Sequence, residues 1–306
     1  MEETTPTAPD APAPELTTRK PGIIRRIIDF PLVLIVIASV IIITIVTGLS
    51  VVFTQVLGWV TGPGSLLGGF LIAVAMVLFW KGYKRWLERE PDREMAFAGA
   101  AKELGAGLAC GFLLFSVMTG IVALLGGFEV LGVRNPVDTA IWYVGGLAFI
   151  SGTFEEVLFR GVLFRQIERL GGSWTALLVT SVIFGAAHIQ NPDASWFAAI
   201  AIMVEAGILL GAAYMLTRRL WLAIGIHAAW NFTQGWLYSI PVSGGDAPIG
   251  LLITRRVGPD WLTGGDFGLE ASVVAMVCAT CAGLTLLTLA IRREELRGAW
   301  YWRKGQ

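Results

Sequence analysis

The run PLVLIVIASVIIITIVTGLSVVF begins at Pro31 and contains no charged residue. A helix needs about 20 apolar residues to cross the hydrocarbon core of a bilayer, and this run supplies them. It is longer than the apolar region of a signal peptide and lacks a small-residue cleavage site, so it reads as a membrane span. Further runs of this kind lie near 65–82, 104–126, 138–159, 174–189, 195–216, 220–239 and 270–291. The composition agrees: 55% of the 306 residues are hydrophobic and 15% are charged, against about 25% charged in soluble domains. The expected fold is an all-α polytopic membrane protein with about eight transmembrane helices.

The basic residues give this layout a direction, because Lys and Arg accumulate in cytoplasmic loops. With the N-terminus inside, 20 of the 23 Lys and Arg residues fall in inner segments, among them Arg160, Arg165 and Arg169; only Arg134, Arg255 and Arg256 fall outside. Both termini are therefore expected in the cytoplasm. Residues 1–22, rich in Pro, Thr and Ala, read as a disordered cytoplasmic tail. Residues 23–137 hold the N-terminal transmembrane helices, and 138–240 hold a core that carries polar groups. Residues 241–269 form an extracytoplasmic loop, with Trp261 and Phe267 expected at the membrane interface. Residues 270–306 hold the last transmembrane helix and a basic cytoplasmic tail. The net charge is zero, which gives no support to a nucleic-acid partner; the lipid bilayer is the partner implied throughout. Cys278 and Cys281 form a CxxC inside an apolar run, where they read as small core residues. The brief loops and the Ala, Gly, Arg and Trp content suggest a prokaryotic plasma membrane.

Ionisable groups at bilayer depth are costly and tend to mark a site. The stretch SGTFEEVLFRGVLF places Glu155, Glu156 and Arg160 in a span. Glu156 and Arg160 are one turn apart on one face and should pair; an ion-pair stripe at a helix end would explain them as well. Glu155 is rotated by about 100° from Glu156 and stays free to point elsewhere. The only two histidines, His188 and His227, also lie in spans. His227 and Asn231 share a helical face, where they could hold a ligand, a water or an oxyanion, or glue two helices together. Phe184 lies one turn before His188 and could wall the site or simply pack. Glu205, in IMVEAGILLG, is a further candidate, or a partner for Arg160 or a histidine.

These residues form three motifs in order: EExxxR at Glu155–Arg160, FxxxH at Phe184–His188 and HxxxN at His227–Asn231. Together they resemble the CPBP (CAAX protease and bacteriocin-processing, or Abi) family, which includes the type II CAAX prenyl proteases. The resemblance covers roughly residues 138–240. It implies an all-helical intramembrane endopeptidase acting on membrane-associated or lipidated protein or peptide substrates. It further implies that Glu155 and His188 activate water, that His227 and Asn231 stabilise the oxyanion or help bind metal, and that Glu156 and Arg160 support the helix.

Two schemes fit such a set. Glu155, His188 and His227 could supply a zinc site of two imidazoles and a carboxylate. Alternatively Glu155 acts as general base without metal. Asn231 is a poor zinc ligand and a good oxyanion donor, so the metal-free scheme is preferred. The rival functions are a transporter or ion relay and a non-catalytic immunity or regulatory protein. With a span ending near 159, Glu155 is expected near its inner end and His188 roughly 10 Å further out at 1.5 Å per residue. A steep helix crossing, with RGVLFRQIERLGG along the inner interface and a cleft open to the cytoplasm, would reconcile them.

Overall fold

A computed structural model describes residues 22–299, and so leaves most of the N-terminal tail and the end of the basic C-terminal tail outside the described residues. Eight long helices form the bundle: α1 (Pro31–Val51), α2 (Gly62–Gly82), α3 (Ala100–Leu124), α4 (Ile141–Glu156), α5 (Arg165–Ala187), α6 (Trp196–Thr217), α7 (Trp221–Phe232) and α8 (Val273–Arg292). Six helical stretches are long and apolar enough to cross a membrane: Pro31–Val56, Gly62–Glu88, Ala100–Leu124, Ile141–Gln190, Trp196–Thr217 and Val273–Arg292. The main packing partners are α3 with α7, α2 with α4, and α6 with both α5 and α8.

The 50-residue stretch Ile141–Gln190 departs from the layout expected from the sequence. A charged loop was expected between 159 and 174. Instead α4 widens into a π-helical segment, Val157–Phe164, and runs directly into α5. The helix can continue because its charges are paired inside the bundle. Arg165 donates to Glu88 at 2.8 and 2.9 Å, and Glu168 accepts from Arg218 at 2.8 Å. Arg160, counted from sequence as an inner-loop charge, is 1% exposed and belongs to the interior.

The chain reverses at one residue. Gly172 has φ 81° and ψ 173°, inside an otherwise continuous helix. A side chain there would be strained by the positive φ, and its Cβ would lie 2.9 Å from the Arg297 carbonyl oxygen. Beyond Gly172, α5 folds back on the π-helical segment. Phe184 meets Phe159 edge to face at 4.8 Å between ring centres, and the Arg160 guanidinium lies 4.6 Å over the Phe184 ring. Residues at near-equal distances along the chain from Gly172 thus lie at one level. Glu155 and His188 lie at near-equal chain distances from Gly172 on the two arms, beyond the contact of Phe159 with Phe184. Glu155 is in mid-bundle rather than at the inner end of a span, because its helix continues well past residue 159.

The segments between helices sort to two sides. At one end, Lys84, Glu88, Glu90, Glu94, Arg165 and Arg169 form an ion cluster in which Lys84, Glu88 and Arg165 are buried and Glu90 is exposed, and Arg219 donates to the Ala96 and Ala98 carbonyls. At the other end a two-stranded antiparallel sheet, β1 (Phe128–Val133) with β2 (Leu252–Arg256), sets Phe128 opposite Arg256. This short sheet lies within a fold that is otherwise helical, as expected, among the described residues. It also joins the two segments that carry Arg134, Arg255 and Arg256, which the charge distribution had placed on one side. Trp261 is exposed there, but Phe267 is buried. Its carbonyl accepts the Gly244 amide at 2.7 Å, so it holds the loop together rather than facing lipid.

Candidate active site

Close helix approach comes before the chemistry. A Cβ at Gly152 would lie 2.8 Å from the Ala228 Cβ and 3.0 Å from its nitrogen. Only glycine lets α4 lie this close to α7, and this brings the two glutamates of α4 within reach of His227.

Glu156 and Arg160 pair as the spacing predicts, with Arg160 Nη1 donating to Glu156 Oε1 at 2.9 Å. The same oxygen has a second partner that sequence did not foretell: His227 Nδ1 lies 2.8 Å from it. Glu156 is fully buried, so it is the hub that fixes both Arg160 and the imidazole. A carboxylate only accepts, so Nδ1 carries the hydrogen and Nε2 is turned to the far side. Glu155 stands there, with its Oε2 3.9 Å from His227 Nε2. The adjacent glutamates therefore face different ways, as their rotation requires, yet both address one histidine.

His188 is set differently. Its Nδ1 donates to the Phe184 carbonyl at 2.7 Å, since a carbonyl can only accept, and this leaves Nε2 as the acceptor. Phe184 stands between the two histidines, with ring centres 4.8 Å from His188 and 6.2 Å from His227. It also caps Arg160, so it walls the site as well as packing. Asn231 donates to Ser151 Oγ at 2.8 Å, and Ser151 in turn donates to the Leu147 carbonyl. One amide hydrogen of Asn231 is thus anchored and the other is left for a ligand.

A cavity with about 30 Å³ for water-sized molecules is lined by His188, His227, Asn231, Phe184, Glu205, Ser243 and Glu270, among others. That is room for one or two waters. Ser243 comes from the segment expected outside, and Glu270 is the first residue of the last expected span, at its outer end. The cavity therefore lies toward that side and not along RGVLFRQIERLGG, contrary to the cleft expected on the inner face. Glu155 is not among its lining residues, but its Oε2 lies 3.9 Å from Nε2 of His227, which is.

The sequence reading missed Glu270, Ser243 and the role of Ser151. Glu270 accepts from Gln234 at 2.7 Å, from the Ser243 amide at 3.0 Å and from the Ser243 hydroxyl at 3.0 Å. Burial pushes the Glu270 carboxyl above the usual range, against those hydrogen bonds and the nearby His188. Its contacts clamp the loop at Ser243 over the cavity, and Asn191 adds a bond to the Ser243 carbonyl at 2.9 Å. Only the placement of a glutamate in a Gly-rich loop before α8 could have signalled this. Glu205 does not pair with Arg160. That guanidinium goes to Glu156 and, at 3.2 Å, to the backbone carbonyl of Ala206.

Of the zinc set considered from sequence, Glu155 and His227 approach each other, and His188, its Nδ1 bound to the Phe184 carbonyl, keeps Nε2 free. Among the described residues, no three His, Cys, Asp or Glu side chains gather as metal ligands.

Residues 137–233, which hold all three motifs, match a family model described as type II CAAX prenyl endopeptidase, Rce1-like. No curated protein and no solved structure matches the chain.

Proposed function

We propose that the protein hydrolyses a peptide bond of a membrane-associated or lipidated substrate by carboxylate-activated water, a reading supported by the match of residues 137–233 to the type II CAAX prenyl endopeptidase, Rce1-like, family model. The observation that carries this reading is the Glu155 carboxylate facing His227 Nε2, while Glu156 holds the same ring from behind. Atoms 3.9 Å apart can both contact one water. Glu155 takes its proton as general base, a role worth about 10²- to 10⁴-fold in rate. The hydroxyl adds to the carbonyl carbon, and the free amide hydrogen of Asn231 meets the oxyanion, as does His227 in its doubly protonated form, which alone carries a hydrogen on Nε2. Glu156 and Arg160 are positioning residues that fix the imidazole. His188, with Nε2 open to the cavity, orients the water or shares its proton. No step in this scheme passes through a metal.

An apolar groove of about 660 Å³ supports a lipid-bearing substrate. It runs between α2, α3, α4 and α7, and its lining includes Phe70, Leu108, Phe149, Thr153 and Ala228. Thr153 and Ala228 line it on the same two helices that carry Glu155 and His227. The bilayer is that of a prokaryotic plasma membrane.

The test is cleavage by the purified protein in detergent of a farnesylated peptide and of its unmodified counterpart. Product from the farnesylated peptide, lost in Glu155→Gln with an unchanged melting temperature, is the expected result. Undiminished turnover in Glu155→Gln would remove the carboxylate mechanism.

A further inference from the structure

Glu205 is the one fully buried glutamate in the bundle interior whose two carboxyl oxygens both lack a hydrogen-bond partner among the described residues. It is not left so by poor surroundings. Arg160 is close, since it donates to the carbonyl of the next residue, Ala206, yet its guanidinium serves Glu156. Around Glu205, α6 offers Ile202, Ala206, Leu209 and Leu210 to the same cavity. A buried carboxyl with no partner is destabilising by at least a few kcal/mol, so an acceptor held open at this cost points to a partner that arrives with the reaction.

The cavity has two unlike walls. His227 and the free amide hydrogen of Asn231 stand on one element, α7. Glu205 stands on another, α6, as a bare acceptor. Glu270 also lines the cavity, but its oxygens are committed to Gln234 and Ser243. A trans peptide unit has the matching asymmetry, because its C=O and N–H point in opposite directions. We infer that the scissile peptide unit takes the place of the cavity's one or two waters, Glu205 accepting its N–H while the α7 groups take its carbonyl, and that Glu205 holds the departing amine. This rests on the peptidase reading above and adds to it the residue that binds the leaving-group side.

The covalent chemistry is unchanged by Glu205. Water adds its hydroxyl to the carbonyl carbon and passes a proton to Glu155. The C–N bond breaks as nitrogen takes that proton back, and a carboxylic acid and an amine result. Glu205 fixes the nitrogen through its hydrogen, so that the lone pair formed on C–N cleavage is directed at the proton it receives.

An ester at the scissile position has no hydrogen to offer Glu205, and this separates binding from structural support. The experiment measures kcat/KM for a farnesylated peptide and for the same molecule with an ester replacing the scissile amide, in wild type, Glu205→Leu and Glu205→Gln. The expected result for Glu205→Leu is a loss of about 10- to 100-fold on the amide, as for removal of one buried hydrogen bond, with the ester cleaved near the wild-type rate. Glu205→Gln, which keeps an acceptor oxygen, should recover part of the amide loss. Ester cleavage also reports that each variant is folded. Equal losses on amide and ester, or no loss on the amide, would overturn the assignment while leaving the peptidase reading intact. Failure of the wild type to cleave either molecule would instead remove the peptidase reading, and this one with it.

Discussion

Two buried glutamates in this bundle have opposite fates. Glu88, at the end that carries the ion cluster, has every acceptor site in use: Oε1 takes Arg165 and Gln166, and Oε2 takes Lys84 and Arg165. Glu205, in the other half of the interior, has neither oxygen in use. Glu155 Oε2 and Glu156 Oε2 are also without hydrogen bonds. The same residue type, equally removed from water, is saturated in one region and left open in the other. A saturated carboxylate is a structural joint, whereas an open one keeps its capacity for a substrate, a water or a proton. The difference separates scaffold from site more sharply than burial or charge does.

Substitutions on the two sides of this contrast should therefore fail in different ways. The largest effect is expected at Glu155: Glu155→Gln should cut turnover by about 10²- to 10⁴-fold with no change in melting temperature. Arg165→Ala should do the reverse. It takes two of the four donors from Glu88 and a partner from Glu94 and should lower stability by about 3–5 kcal/mol, seen as a fall in detergent melting temperature, while the protein that remains folded cleaves at the normal rate. An Arg165→Ala protein that melts normally would break the comparison at its structural end. Asn231→Ala comes next, with an expected loss of about 10²- to 10³-fold in kcat, as for an oxyanion donor, and little change in KM. Treatment with a metal chelator should leave the rate unchanged; activity lost to chelator and restored by zinc would restore the zinc scheme and make Glu155 a ligand.

The smallest effect is expected at Asp92, outside the spans. Burial works against its charge, but hydrogen bonds from Lys81, the Met95 amide and the Trp80 indole hold the carboxyl below the usual range. Its contribution is present above the ordinary carboxylate pKa and fades as pH falls through the lower folded value. For so open an ion pair it is at most about 1 kcal/mol. Melting curves between about pH 6 and about pH 3 should show wild type losing slightly more than Asp92→Asn.

Much of this was legible in the chain. The apolar runs announced the membrane helices, and the spacing of Glu156 with Arg160 and the rotation of Glu155 away from them are helix geometry that tertiary contacts do not alter. What escaped were features decided by partners distant in sequence. Arg160, Arg165 and Glu168 look like loop charges until Glu156, Glu88 and Arg218 are seen to neutralise them, and so the continuation of α4 into α5 was missed. Glu270 and Ser243 lie in a loop without periodicity, where no spacing rule places a side chain over a cavity. The second role of Glu156, on His227, needed the close approach that Gly152 allows.

The reversal at Gly172 has a consequence for the membrane around the protein. Bilayers differ in thickness, and helices adapt to the mismatch by tilting. Two reactive groups on separate helices would then slide past one another as the lipid changed. Glu155 and His188 sit on the two arms of one hairpin, joined through the reversal at Gly172 and at near-equal chain distances from it. A tilt that lifts one lifts the other, so a thicker or thinner membrane should shift where the reaction occurs along the membrane normal without pulling the pair out of register.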